Sequence, residues 1–298
     1  MRKKQTGAAS GISFETDRSR WTAPLRDLLH HNKIAVVSAV IILLLVLAAC
    51  LAPVLTPYGE TQMDLMNRLS PPSAKHWLGT DEGGRDILTR MLYGSRISLM
   101  VGIVPSLLSL VLGTALGMLA GFRGGKTDAV IMRAADIMLA FPSILLAMVI
   151  MYTLGGDLPA VFLTLTLVNW AEVARITRAE TLRLKENEYV EAARVIGVSR
   201  MRIMLRHILP NCLPTLIVLF TLNVPAAIMT ESSLSFLGLG IQPPYASWGR
   251  MINIGRQYLY TAPWLCFAPG AAIMVCVLAF HFLGDGLRDA LDPHLKKR

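Results

Sequence analysis

Uncharged apolar stretches dominate the chain. Residues 34–55, 97–122 and 208–230 contain no Asp, Glu, Lys or Arg, and residues 257–284 carry only His281 as an ionisable cation. A helix must cover about 30 Å of hydrocarbon at 1.5 Å per residue, so roughly 20 consecutive apolar residues suffice to span a bilayer. These four runs meet that length. Two others are weaker. Residues 134–154 include Asp136, and residues 158–171 stay uncharged for only fourteen positions before Glu172. Counting both gives six spans. The pattern therefore predicts an all-α integral membrane protein with six transmembrane helices.

Composition agrees with that solvent. Apolar residues make up 53% of the 298 residues and charged residues 16%, and mean hydropathy is +0.50. So few charges cannot cover a water-facing surface of ordinary composition. The net charge of +9 would suggest nucleic acid in a soluble chain, and its placement decides the matter. With the N-terminus inside, the inner segments 1–33, 122–133, 172–206 and 285–298 hold 22 of the 29 Lys and Arg. The outer segments hold seven. This inward bias fits an even number of spans with both termini cytoplasmic, and it assigns the surplus to topology and not to nucleic acid. The predicted plan is an N-terminal segment (1–33), a first span (34–56), an outer loop (57–96), a core of five spans (97–284) and a tail (285–298). Trp21, Leu25, Leu28 and Leu29 suggest a short amphipathic helix on the inner surface ahead of the first span.

Several motifs are set aside on physical grounds. Leu47-Ala48-Ala49-Cys50 looks like a lipoprotein processing site. However, 33 hydrophilic residues precede its apolar run, and that run continues past the cysteine. Residues 120–127 read A-G-F-R-G-G-K-T, one glycine short of a phosphate-binding loop and flanked by spans, so they predict a basic turn. Cys50, Cys212, Cys266 and Cys276 all fall in spans without metal-ligand spacing and read as packing residues. Asp81, Glu82 and Asp86 are the nearest approach to a membrane enzyme's carboxylates. With Arg85 and Arg90 beside them, they are explained as solvated loop structure. No catalytic residue and no metal ligand is expected in this chain.

Polar groups within spans should be paired, placed at an edge or directed to a pore. Arg133 with Asp136, and Glu172 with Arg175, predict pairs three residues apart. Asn223 and Glu231 are candidates to line a pore or to bond a neighbouring helix. Pro105, Pro142, Pro225 and Pro269 each fall within a span and permit kinks. Gly113, Gly117 and Gly121 form two G-x-x-x-G steps on one helix face, which predicts close helix packing.

The inner segment 172–206 carries the most specific pattern. Glu191-Ala192-Ala193 is followed by Gly197 and then by Ile208-Leu209-Pro210. Tyr189, Val190, Ala193 and Ile196 recur near helical spacing, and an apolar pattern resumes from Met201. A short helix, a turn at Gly197 and a second short helix against the membrane are expected. The stretch resembles the E-A-A-x-x-x-G-x(9)-I-x-L-P loop of bacterial ATP-binding-cassette importer permeases, with His207 in place of the usual Ile. Further blocks resemble the dipeptide, oligopeptide and nickel branch and its "C"-type subunit. They are residues 76–81 (H-W-L-G-T-D) with Gly84-Arg85-Asp86, residues 235–240 with Pro243-Pro244 and Trp248-Gly249, and the tail 284–293.

That resemblance implies a type I ABC-importer permease fold with cytoplasmic coupling helices in the loop 179–207. It implies that Glu191 offers its carboxylate to a basic group on an ATPase subunit. Ala192 and Ala193 would allow close approach, and Gly197 would make the bend. The implied partners are a second, homologous permease forming a heterodimer, two ATPase subunits that bind ATP and magnesium, a substrate-binding protein and the lipid bilayer. This chain itself would hold no cofactor. The implied location is the bacterial inner membrane, and the implied cargo is short peptides. Nickel, a metal–metallophore complex or glutathione is the alternative within the family, and a passive channel lies outside it.

Overall fold

A computed structural model describes residues 32–242 and 245–291. The expected surface helix around Trp21, Pro243-Pro244 and the end of the tail from Asp292 onward lie outside the described residues. Among the described residues the chain is mostly helical, with a largely irregular segment at 56–86 that holds one isolated bridge, between Thr80 and Asp86. Its helices are α1 (Lys33–Leu55), α2 (Ile87–Arg123), α3 (Gly125–Ala140), α4 (Ser143–Leu154), α5 (Leu158–Lys185), α6 (Glu188–Val195), α7 (Arg200–Phe236), α8 (Trp248–Gly255) and α9 (Trp264–Leu291). Five are long and apolar enough to cross a membrane, and α3 with α4 makes a sixth crossing if counted as one span.

The first span matches its apolar run. Asn32 caps α1 by accepting from the Ala35 amide at 3.1 Å, and Leu43, Leu44 and Leu47 face outward from the fold. The second begins ten residues before its run, because two arginines lie inside the helix. Arg90 is buried and pairs with Asp81. Arg96 donates to the Ala49 carbonyl at 2.5 Å and the Cys50 carbonyl at 3.0 Å. Pro53 has no N–H with which to reach Ala49 four residues back, so Arg96 occupies an acceptor that the proline leaves open.

The third run does not form an unbroken span. Helices α3 and α4 meet at 94°. Phe141 is extended (φ −95°, ψ 142°) as the residue before a proline tends to be, and Pro142 then opens α4. The fourth run is only the first half of α5, a helix of 28 residues that reaches Lys185. Much of the expected inner loop is therefore the extension of a spanning helix.

Helices α2 and α5 run parallel and in backbone contact. A Cβ on Gly113 would lie 2.7 Å from the Trp170 carbonyl oxygen, one on Gly117 2.4 Å from that of Ala174, and one on Gly121 2.9 Å from that of Arg178. Each step of four on one helix meets a step of four on the other. Packing of this kind, which relies on van der Waals contact between backbones, holds helices together where lipid provides no hydrophobic drive.

Candidate functional site

The site is built where α5 leaves the apolar zone. Glu186 and Asn187 link α5 to α6, an eight-residue helix with two unlike faces. Val190 and Ala193 are buried against Leu184, Ile203, Ile208 and Met118, which fixes α6 to α5, α7 and α2. Glu191 and Ala192 are exposed on the other side. Beyond them Val195 and Ile196 are 89% and 81% exposed. The expected apolar face thus divides. Val190 and Ala193 point inward, while Ile196 stands in the open with Val195 beside Glu191.

Gly197 ends α6 at φ +86° with nothing near its missing side chain. The Val198 amide bonds back to the Ala193 carbonyl at 3.0 Å, closing the helix as a left-handed glycine allows. The expected second short helix is instead the head of α7. It contains a π-type turn at Met204–Ile208 that carries the unusual His207. The Tyr189 ring lies 6.4 Å from the His207 ring, and the Asn211 side-chain Nδ2 donates to the His207 carbonyl at 2.6 Å, satisfying an acceptor in that turn.

Ion pairs above the site differ from expectation. Asp136 pairs with Arg175 at 2.8 Å, and Asp128 pairs with Arg178 through two bonds of 2.5 and 2.6 Å. Both bridge α3 to α5. Arg133 and Glu172 make no ion pair among the described residues. Spacing along one helix favours local pairs, but the fold places α3 against α5 and gives Asp128 and Asp136 partners across the interface.

The two pore candidates also separate. Asn223 is half-buried on α7. Glu231 is sealed at 1% exposure, where it accepts from Ser235 at 2.6 Å and from Ser247 at 3.0 Å. Ser247 is the N-cap of α8 and accepts from the Arg250 amide. Glu231 therefore ties α7 to the start of α8 as a helix-to-helix bond. Two of the three outer carboxylates are likewise not solvated loop groups, since Asp81 and Asp86 are buried, and the half-buried Glu82 pairs with Arg85 at 2.5 Å. Asp81 holds Arg85 at 2.7 Å as well as Arg90, and Asp86 holds His76 at 2.9 Å and caps α2 through the Thr89 amide. Burial, and then the positive charges of Arg90 and Arg85, hold Arg250 below the usual guanidinium range. Among the described residues no group of three or more His, Cys, Asp or Glu is arranged to ligate a metal.

The sequence relatives agree on one family. Residues 113–297 match the family described as binding-protein-dependent transport system inner membrane component, and residues 24–72 match the N-terminal transmembrane domain of oligopeptide transport permease C. The chain is 43% identical over 266 residues to the oligopeptide transport system permease protein of Bacillus subtilis strain 168, covering 89% of this chain and 87% of that one. It is 45% identical over 278 residues to the dipeptide transport system permease protein of Alkalihalophilus pseudofirmus, covering 93% and 91%. A chain of the MetNI methionine ABC transporter, solved in inward-facing conformations, shares the fold. Its TM-score is 0.56 at 21% identity, covering 68% of this chain and 96% of that one. This multi-pass membrane chain belongs to the binding-protein-dependent transport system inner membrane component family, the permease subunits of ABC importers.

Proposed function

We propose that this chain forms, with a second homologous permease, the pathway by which an inner-membrane importer takes up short peptides delivered by a substrate-binding protein. Two ATPase subunits bind ATP and magnesium and drive the cycle, and both chain termini lie on their side of the membrane. The reading rests on one observation above the rest. Helix α6 is anchored by one face and displays Glu191 with Val195 and Ile196 on the other. An apolar knob beside a carboxylate suits a groove with a basic group on its wall, and Ala192 keeps the approach close. When the ATPases close, α6 moves with them. Its two-residue link transmits that motion to α5, and the glycine contacts carry it to α2. Gly197 holds the bend that presents the knob.

The test is uptake by the reconstituted four-subunit transporter with its binding protein. Glu191→Lys is expected to cut ATP-driven peptide uptake about tenfold or more, because like charges opposed across an interface cost several kcal/mol. Membrane insertion and detergent-solubilised stability should stay as in the wild type, since Glu191 is exposed and makes no ion pair among the described residues. Undiminished uptake by Glu191→Lys would remove the assignment of α6. Uptake of radiolabelled nickel in place of peptide by the unaltered transporter would overturn the choice of cargo.

A further inference from the structure

A cavity of about 490 Å³ opens behind α6. Arg123 at the end of α2, Lys185 at the end of α5, Arg194 on α6 and Arg200 at the head of α7 line it, together with Phe122 and Ile203. No acidic residue lines it, and none of the four cations makes an ion pair among the described residues. Lys185 donates to the Gly121 carbonyl at 3.0 Å, and the Arg194 guanidinium lies 5.5 Å from the centre of the Phe122 ring. These contacts place the groups without neutralising them. A sphere of that volume is about 10 Å across, no wider than the Debye length of roughly 10 Å at 0.1 M salt, so the charges are not screened from one another. Four helices converge to hold like charges around one space. Such an arrangement is favourable when an anion occupies it.

The level of the cavity narrows the choice. Phe122 is the last residue of the uncharged run 97–122, and α7 enters its own uncharged run at Ile208, five residues beyond Ile203. The cavity therefore sits where hydrocarbon gives way to headgroups, with apolar side chains in its lining and cations around them. Arginine forks match phosphate oxygens two at a time. We infer that this pocket binds a phosphate group at the inner surface, carried by an anionic phospholipid headgroup or by free phosphate. Basic pockets between membrane helices on the cytoplasmic side recognise lipid phosphates in this way. Because Arg194 and Arg200 flank the bend at Gly197, the bound phosphate fixes the spacing between α6 and α7.

The experiment uses the complete transporter in nanodiscs of phosphatidylcholine, without ATP, and titrates short-chain phosphatidylglycerol in one arm and inorganic phosphate in the other. Saturable binding of phosphatidylglycerol is expected. Arg123→Gln with Arg194→Gln should weaken it about 30-fold, by the usual contribution of each basic group at an anionic surface. Lys126→Gln with Arg133→Gln, which removes two exposed inner-side cations outside the cavity, should leave it unchanged. Binding of phosphatidylglycerol alone identifies lipid as the source. Binding of inorganic phosphate with the same sensitivity to the arginine pair identifies the free ion. Equal binding by both double variants, or none in either arm, overturns the inference. So does loss of ATPase subunits from the Arg123/Arg194 variant irrespective of lipid, which would make these arginines counterparts of ATPase carboxylates. The readout is binding at rest, so it is independent of whether Glu191 couples transport to ATP.

Discussion

Gly117→Val is expected to prevent the membrane domain from assembling. Even the first carbon of a side chain at position 117 would stand 2.4 Å from the Ala174 carbonyl oxygen and 2.9 Å from the Thr177 Cβ. Neither neighbour is the loose end of a flexible side chain. To admit valine, α2 and α5 must separate along the interface that Gly113 and Gly121 also hold close. Overpacking a core usually costs 1–3 kcal/mol, and a clash with backbone leaves no rotamer to relax into, so about 3 kcal/mol or more is expected. The measurement is the yield of monodisperse protein in mild detergent and its thermal unfolding midpoint. Gly270→Ala is the control, because Gly270 has open space around it and its replacement should leave both readouts near wild type. A Gly117→Val protein as stable as the control would show that α2 and α5 do not depend on this contact. It would also weaken the proposed route from α6 to α2, which passes through it.

The glycine pattern was legible because it needs no knowledge of the partner: small residues four apart mark a close approach wherever the second helix lies. The E-A-A pattern was legible for the opposite reason, since its spacing is set by one helix and one turn. What escaped the sequence reading were features decided between elements. Counting uncharged residues located the start of α2 at 97, but Arg90 finds Asp81 and Arg96 finds the carbonyl left open by Pro53. A charge with a partner inside the protein does not end a helix. Counting uncharged residues likewise ends the fourth run at Glu172, but an exposed charge does not end a helix either, and this one continues to Lys185. A proline within a span permits a kink, and at Pro142 the chain turns by 94°. Whether a proline bends or breaks a span depends on what receives the freed backbone, which sequence does not disclose. Glu231 followed the same course, its role set by Ser247 sixteen residues away. The basic pocket was invisible for this reason too, since its cations come from four helices.

Asp81→Ala is the second large effect, and it concerns the opposite end of the molecule. One oxygen of this carboxylate accepts the Gly83 amide at 2.8 Å and the Arg85 amide at 3.0 Å. The other accepts Arg85 at 2.7 Å and also Arg90. The Asp81 main chain is engaged as well, accepting from the Leu69 and Gly84 amides at 3.0 Å each. Asp81 thus gathers residues 83–90 of the segment leading into α2, and Trp264 at the start of α9 donates to the neighbouring Thr80 carbonyl at 3.4 Å. Removing Asp81 leaves Arg90 buried at 6% exposure without a counter-charge. Breaking a buried pair from one side typically costs 3–5 kcal/mol, so a loss of about that size is expected in detergent unfolding experiments. The double variant Asp81→Ala with Arg90→Met separates the causes. Because the greater part of such a loss is the stranded charge and not the missing attraction, deleting the arginine should restore much of the stability. If the double variant is no more stable than the single, the outer segment is held by the amide contacts of Asp81 and the buried charge is incidental. If Asp81→Ala itself is as stable as the wild type, Asp81 does not organise this segment, and its shape is set elsewhere.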